Sequence, residues 1–223
     1  LKAQSQKFNI VKKDQINQIF QIFSNNNPHP KTELEFKNHY TLLVAVVLSA
    51  QSTDIGVNKA TKKLFKIADT PEKMVELGEE NLKKYINTIG LYNGKAKNVI
   101  SLSKSLIEKF DSQIPTNLED LQSLAGVGRK TANVVMNCAF GALTIGVDTH
   151  VFRVPNRIGM VNAKNELQTE LALLKKIPKE WQQNAHHWLI LHGRYVCMAR
   201  KPKCEICTIS QFCKTYAKNN AAI

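Results

Sequence analysis

LAGVGRKTANVV, residues 124–135, is the stretch on which the fold turns. Gly126 and Gly128 bracket a single valine, and glycine admits backbone angles and close approaches that a side chain prevents. The pattern predicts a tight turn opening a helix over 129–139, whose first amides point outward and can hold a phosphate oxygen. Arg129 and Lys130 add positive charge there, so the turn would grip a nucleic-acid backbone without reading bases. A helix–helix turn with no ligand has the same pattern. A nucleotide P-loop does not: G-x-G is too short, the G-x4-G-K-[ST] spacing is missing, and no strand leads in.

Helical patterns extend from this turn in both directions. Upstream, Thr116 is expected to cap residues 117–124 with Glu119 as its capping-box partner. Residues 94–110 read as a longer helix with Val99, Leu102, Leu106 and Phe110 inward, preceded by a short one over 79–89 that Gly90 stops. Thr70-Pro71-Glu72 is a helix start, the helix ending near Gly78, and 54–68 is another. TLLVAVVLSAQSTD, residues 41–54, is apolar nearly all round and fits a buried helix or a buried strand; its helical neighbours and its length favour the helix. Residues 10–23 place Ile16, Ile19, Phe20 and Phe23 on one helical face, and NNNPHPKTE, residues 25–33, ends that helix. Downstream, Gly141 closes the hairpin helix. Helices are expected again over 149–154, with Pro155 as a kink or late start, and over 165–176 and 181–194. No βαβ pattern appears, so the fold reads as all-α, about ten helices with short connections.

The chain has 223 residues, with 31 Lys and Arg against 18 Asp and Glu, a net charge of +13. An apolar fraction of 43% is that of a globular protein and excludes a disordered one. The longest apolar run, Leu42 to Leu48, is far short of a membrane span, and LKAQSQKFNI at the start lacks the pattern of a secretory signal. Such a charge repels itself unless a polyanion relieves it, and nucleic acid is the commonest such partner. No heptad or isolated apolar stripe argues for an oligomer, so a monomer is expected.

Four of the five cysteines, Cys197, Cys204, Cys207 and Cys213, form C-x6-C-x2-C-x5-C in the last 27 residues. Disulfides are rare in reducing cytosol, and four thiolates this close can surround a metal centre. A four-iron cluster tolerates loose spacing; zinc prefers paired C-x2-C knuckles, of which there is one; unligated cysteines are the third option. Cys138, in VVMNCAFG, reads as a small buried hydrophobe. Residues 191–223 are basic, with Arg194, Arg200, Lys201, Lys203, Lys214 and Lys218 against Glu205 alone.

Lys130 has an apolar helix face behind it, where an amine loses its proton more readily and can attack an electrophilic carbon to form a Schiff base. Asp148, in the polar insertion GVDTH, could position that amine, take a proton or stabilise a positive sugar-like transition state. The plainer readings are a phosphate contact for Lys130 and a helix cap for Asp148. Both are compatible with catalysis.

These residues bring a known family into view. LSAQSTD (48–54), VNKAT (57–61), TIGLYNGKA (88–96), GVGRKTANVV (126–135), VDTHVFRV (147–154), HHWLILHGRY (186–195) and the cysteine tail strongly resemble the bacterial endonuclease III family, DNA glycosylases with lyase activity in the helix-hairpin-helix superfamily. The resemblance runs over essentially the whole chain from about residue 12. It implies two helical domains: residues 32–142 as a six-helix barrel ending in the hairpin, and residues 1–31 with 143–223 as a cluster domain. It implies a [4Fe-4S] cluster on Cys197, Cys204, Cys207 and Cys213. Lys130 matches the Schiff-base lysine and Asp148 the catalytic aspartate. Gln51 matches the polar residue that fills the gap left by a flipped nucleotide, Leu91 an apolar wedge beside the orphaned base, and His150 a residue lining the groove. Without the resemblance, Gln51 reads as an ordinary loop residue and Leu91 as a core leucine. The implied partner is double-stranded DNA with oxidised pyrimidines or abasic sites, and the implied place is the cytoplasm, at the nucleoid.

Three positions depart from the family pattern. Ala125 replaces a proline in the hairpin, Gln122 stands where glutamate is frequent, and Pro155 takes a place often held by a small residue. None removes a catalytic group. An adenine mismatch glycosylase of the same superfamily usually lacks a lysine at position 130 and carries a further C-terminal domain, for which ten residues after Cys213 leave no room. A non-catalytic DNA-binding module would not need Lys130 with Asp148, and a redox protein would not need the hairpin.

Overall fold

The computed structural model of the protein describes residues 11–220. Among these, the fold is all-α, with twelve α-helices, two 3-10 turns and no strand. The described residues divide into two compact units, Thr32–Ala142 and the segments on either side of it. α1 (Lys13–Asn26) precedes the Thr32–Ala142 unit, which holds α2 (His39–Leu48), α3 (Asp54–Ile67), α4 (Pro71–Leu77), α5 (Glu79–Ile86), α6 (Tyr92–Phe110), α7 (Leu118–Ser123) and α8 (Arg129–Phe140). α9 (Thr149–Ile158), α10 (Glu166–Lys176), α11 (Lys179–Tyr195) and α12 (Lys214–Asn220) follow, with the 3-10 turns Cys204–Ile206 and Ser210–Phe212 between α11 and α12. The Thr32–Ala142 unit thus has seven α-helices, one more than the resemblance implies.

α2 is the axis of that unit. Every residue from Tyr40 to Leu48 is buried, and a helix apolar on all faces needs neighbours on all faces; α3, α6 and α8 supply them. It starts earlier than expected because Asn38, unnoticed in the sequence, caps it by accepting from the Thr41 amide at 2.8 Å. It also stops at Leu48, six residues before Asp54. A turn intervenes, and Thr53 then caps α3 by accepting from the Gly56 amide at 3.1 Å. Thr70 caps α4 with Pro71 at the first helical position, as its sequence predicts.

Thr116 does not cap α7. Asn117 does, in extended backbone, with Oδ1 2.9 Å from the Asp120 amide. A capping side chain is short, so it must leave the residue directly before the helix; Thr116 is one position too far upstream, and Glu119 is not its partner.

The other unit has its own core. Ile10, the first residue of the expected 10–23 helix, lies outside the described residues, and α1 starts at Lys13 and runs on to Asn26. Asn27 leaves helical geometry at φ −151°, as a residue before proline is pressed to do. The apolar face of α1 packs on α11: Phe20 stacks with Trp188 at 6.0 Å between ring centroids, and the Trp188 indole N–H donates to the Asn27 carbonyl at 2.9 Å. Pro155 is not a late start, since α9 begins at Thr149. It sits inside a continuous α9, where its ring costs one helical hydrogen bond. α9 and α11 cross at Gly193, where a Cβ would meet His150 Cβ at 2.9 Å and Val154 Cγ2 at 3.0 Å; only glycine permits that approach.

Burial in this unit has a consequence in acid. His187 is 7% exposed, and burial pushes its imidazole down to about 4 from the ordinary 6.5. The unfolded chain therefore binds the proton first, so this contribution to stability is complete above pH 6.5 and is lost as the pH falls toward 4, by about 3 kcal/mol. Urea titrations across that window are expected to show the loss, and His187→Gln to remove that share of it. An unchanged pH dependence in the variant would contradict the burial argument.

Candidate nucleic-acid interface and cluster loop

The hairpin between α7 and α8 is closed by the Val127 amide on the Leu124 carbonyl at 3.1 Å. Val127 is buried and pins the turn to the core, while Gly126 and Gly128 stay exposed. Gly126 has φ 77°, and a Cβ there would stand 2.9 Å from Nδ2 of Asn98 on α6. Gly128 starts α8 with no side-chain cap and open space beside it. The first turn of α8 thus presents its amides outward, with Arg129 exposed and Lys130 half-buried as its first two residues. Ala125 is accommodated without proline. Gly126→Ala is expected to cost about 1–3 kcal/mol through its left-handed backbone and to displace Asn98. Calorimetry should show a lower melting temperature and anisotropy a weaker grip on DNA; an unaltered melting temperature would contradict this geometry.

Gln51 and Leu91 occupy the tips of two neighbouring turns in the same unit. Both have left-handed backbone, φ 53° and 59°, uncommon for residues with side chains and an outlier for a bulky one. A Cβ on Gly90 would lie 3.7 Å from the Gln51 carbonyl oxygen, which makes the turns neighbours. Gln51 is exposed, and Leu91 is 65% exposed, which overturns the reading of Leu91 as core. Such strain persists where the surrounding structure enforces it, and it clusters at functional sites.

Lys95 lies beneath these turns and is absent from the sequence-based candidates. It is 5% exposed, and its ammonium donates to the Ser52 hydroxyl, beside Gln51, at 2.8 Å. Burial pushes its pKa down. The signal was available: 95, 99, 102 and 106 follow helical spacing, so a lysine stands on the inward stripe of α6.

In the flanking unit, Asp148 is the N-cap of α9. Its Oδ1 accepts from the His150 and Val151 amides at 2.9 and 2.8 Å. Both bonds fall on one oxygen, so capping leaves Oδ2 available for other work. Arg153, one turn on, bonds the carbonyls of Gly193 (2.9 Å) and Cys197 (3.2 Å) and meets His150 Nδ1 at 3.1 Å. Arg157 donates to the carbonyls of Met198 at 2.6 Å and Ala199 at 2.8 Å. Neither arginine stood out in the sequence, because their partners are backbone atoms about forty residues away. Asp148 and His150 thereby share one helix with the anchors of the cysteine loop, while Lys130, Gln51, Leu91 and the hairpin belong to the Thr32–Ala142 unit.

Cys197, Cys204, Cys207 and Cys213 line one small, partly open cavity with Ile158, Ile209 and other largely apolar surroundings. No disulfide joins them. All four cysteines thus face one shared space, as a cluster in which each thiolate takes its own metal requires. Burial pushes the Cys207 and Cys213 thiols up, against the backbone amides of Ile209 and of Tyr216 and Thr215, which favour thiolate. Arg157 also reaches the Cys197 sulfur at 3.8 Å. Apolar walls, four sulfurs and N–H groups aimed at them fit a bound iron–sulfur cluster. Arg200, Lys201 and Lys203 are exposed on this loop, with Lys201 turning it at φ 49°; Arg194 is half-buried in the last turn of α11. Cys138 is half-buried against the core, its thiol pushed up to about 11 by burial.

Comparison with known proteins agrees with these features. HhH-GPD superfamily base excision DNA repair proteins match residues 44–179, and the iron–sulfur binding domain of endonuclease III matches residues 197–213. Endonuclease III of Rickettsia conorii is 60% identical over 201 residues, 90% of this chain and 96% of its own. The chain belongs to the endonuclease III family.

Endonuclease III of Escherichia coli K12 is 56% identical over 189 residues, 85% of this chain and 90% of its own. A solved structure of a trapped endonuclease III–DNA covalent intermediate superposes with a TM-score of 0.88 at 42% identity, covering 94% of this chain and 99% of that one. As a member of the endonuclease III family the protein is a bifunctional DNA glycosylase and AP lyase of base excision repair, acts on DNA, and carries a [4Fe-4S] cluster. Among the described residues no helix is long and apolar enough to cross a membrane.

Proposed function

We propose that the protein removes oxidised pyrimidines, thymine glycol among them, from double-stranded DNA and cleaves the resulting abasic sites. The observation that carries this reading is Lys130, an amine in the first turn of the uncapped helix that the hairpin opens. An intact duplex hides the sugar C1′, so the damaged nucleotide must be extruded, which costs least where the lesion already weakens stacking. Gln51 and Leu91 fill the vacated space from their two turns. Gly126, Gly128 and Arg129 hold the backbone beside the lesion, and His150, from the flanking unit, is a further DNA contact.

Lys130 Nζ bonds to C1′ as the bond from C1′ to the base breaks, and the base leaves with that electron pair and a proton. Asp148 accepts the lysine's proton through the oxygen that capping leaves available and passes it to the departing base, and the carboxylate so restored stabilises the positive charge on the sugar. Opening of the sugar ring gives an iminium between Nζ and C1′. That iminium acidifies the C2′ proton; its removal expels the 3′ phosphate, and water then releases Lys130. Cys197, Cys204, Cys207 and Cys213 would hold the cluster, which when bound supplies a rigid cross-link for the loop. Arg194, Arg200, Lys201 and Lys203 there meet phosphates. The net charge of +13 supports action at chromosomal DNA in the cytoplasm, and a single chain holds every group that the reaction needs, which supports a monomer.

The test is a panel of duplexes, each with one defined lesion, treated with protein and borohydride. Covalent complexes with thymine glycol and abasic duplexes, and none with undamaged DNA, are expected; the reverse ranking would end the substrate assignment. Binding should weaken with salt at a log–log slope of about −4 or steeper, as released counterions require. A flat salt dependence would remove the phosphate contacts of the cluster loop.

A further inference from the structure

We infer that a lysine-lined groove between α3 and α5 holds the phosphate backbone of the strand opposite the damaged nucleotide, a proposal that rests on the duplex-glycosylase reading above. Lys59 and Lys63 from α3 and Lys84, Tyr85, Asn87 and Thr88 from the α5 end line an open groove of about 720 Å³. No carboxylate lines it. Lys83, one residue from Lys84, is held by Glu79 and Glu80 at 2.8 and 2.6 Å, whereas Lys84 donates to the neutral Asn81 Oδ1 at 3.0 Å and so keeps its charge for the groove. Lys59 and Lys63 stand one helical turn apart, about 5–6 Å between Cβ atoms, and repel each other. A polyanion lying between α3 and α5 turns that repulsion into attraction. The Asn87 amide and the Thr88 hydroxyl are the further donors that phosphate oxygens take.

Location specifies the strand. Gly56 lines the groove, and a Cβ on it would stand 3.9 Å from Ile89, two residues before Leu91. The groove therefore begins where the Leu91 turn begins. The hairpin lies on the other side of that turn in the chain: Gly126 packs on Asn98, seven residues beyond Leu91 along α6, or about 10 Å of helix. With the hairpin on the damaged strand and Leu91 in the base stack, the backbone beyond the wedge is that of the partner strand.

The test uses the full chain with Lys59→Gln, Lys63→Gln and Lys84→Gln together. All three lysines are exposed, so an unchanged melting temperature serves as the folding control. Affinity for an abasic duplex is expected to fall roughly tenfold or more, with a salt slope flatter by about 2 to 3, while affinity for the same abasic strand alone is unchanged. Methylphosphonates placed opposite the lesion should weaken the unmodified protein and leave the triple variant indifferent. Unchanged duplex affinity and slope, an equal loss on single strands, or equal sensitivity to methylphosphonates would each overturn the proposal. If the unmodified protein fails to cleave the abasic duplex, the functional reading itself falls; if it cleaves and the variant binds as before, only the groove does.

Discussion

Lys130→Gln abolishes the borohydride-trapped complex and lowers strand cleavage at an abasic site by more than about 10³-fold, because an amide has no lone pair available for C1′ and cannot form an iminium. Glutamine keeps helix-forming character and nearly the same length. Lys130 is only half-buried in the first turn of α8, so the melting temperature and the binding of an uncleavable duplex should stay close to those of the unmodified protein. That combination separates a nucleophile from a phosphate contact. A phosphate contact would weaken binding and leave trapping intact at saturating protein. Trapping that survives at its original rate would make another amine the nucleophile.

The second large effect is expected at Asp148. Asp148→Asn should slow base release by about 10²–10⁴-fold and leave DNA binding within about twofold. Its Oδ1 accepts two amides at the start of α9, and asparagine caps as well as aspartate, so this change removes charge and basicity without removing the cap. Asp148→Ala removes both and adds a stability loss of about 1 kcal/mol. Single-turnover base release for the two variants, set beside their melting temperatures, divides the chemical role from the structural one. Base release near the original rate in Asp148→Asn would confine this residue to capping.

The features legible in the sequence are those that depend on near neighbours in the chain. Two glycines around Val127 announce a turn because backbone freedom is local, and Thr70-Pro71 announces a helix start for the same reason. The cysteine spacing limits which centres can form, yet it leaves zinc and iron both open; the shared apolar cavity and its amides favour the cluster. Misreadings had equally local causes. Thr116 and Asn117 are both good caps, and only Asn117, directly before the first helical residue, does the work. Residues 41–54 form one apolar and polar run in which nothing marks Leu48 as the end, because the turn after it is enforced by Ser52, Lys95 and the neighbouring Leu91 turn.

By itself, the order of residues determined that the chain is helical, basic, hinged on a glycine hairpin and closed by four clustered cysteines, since periodicity, charge and spacing are properties of composition and short separations. The tertiary structure alone decided that Leu91 faces solvent in a strained turn, that Lys95 on its inward stripe reaches Ser52 beside Gln51, and that Arg153 and Arg157 hold the cysteine loop to the helix that Asp148 caps. Each of these contacts joins residues far apart in the chain, and burial is a property of what packs around a side chain, which no single segment contains.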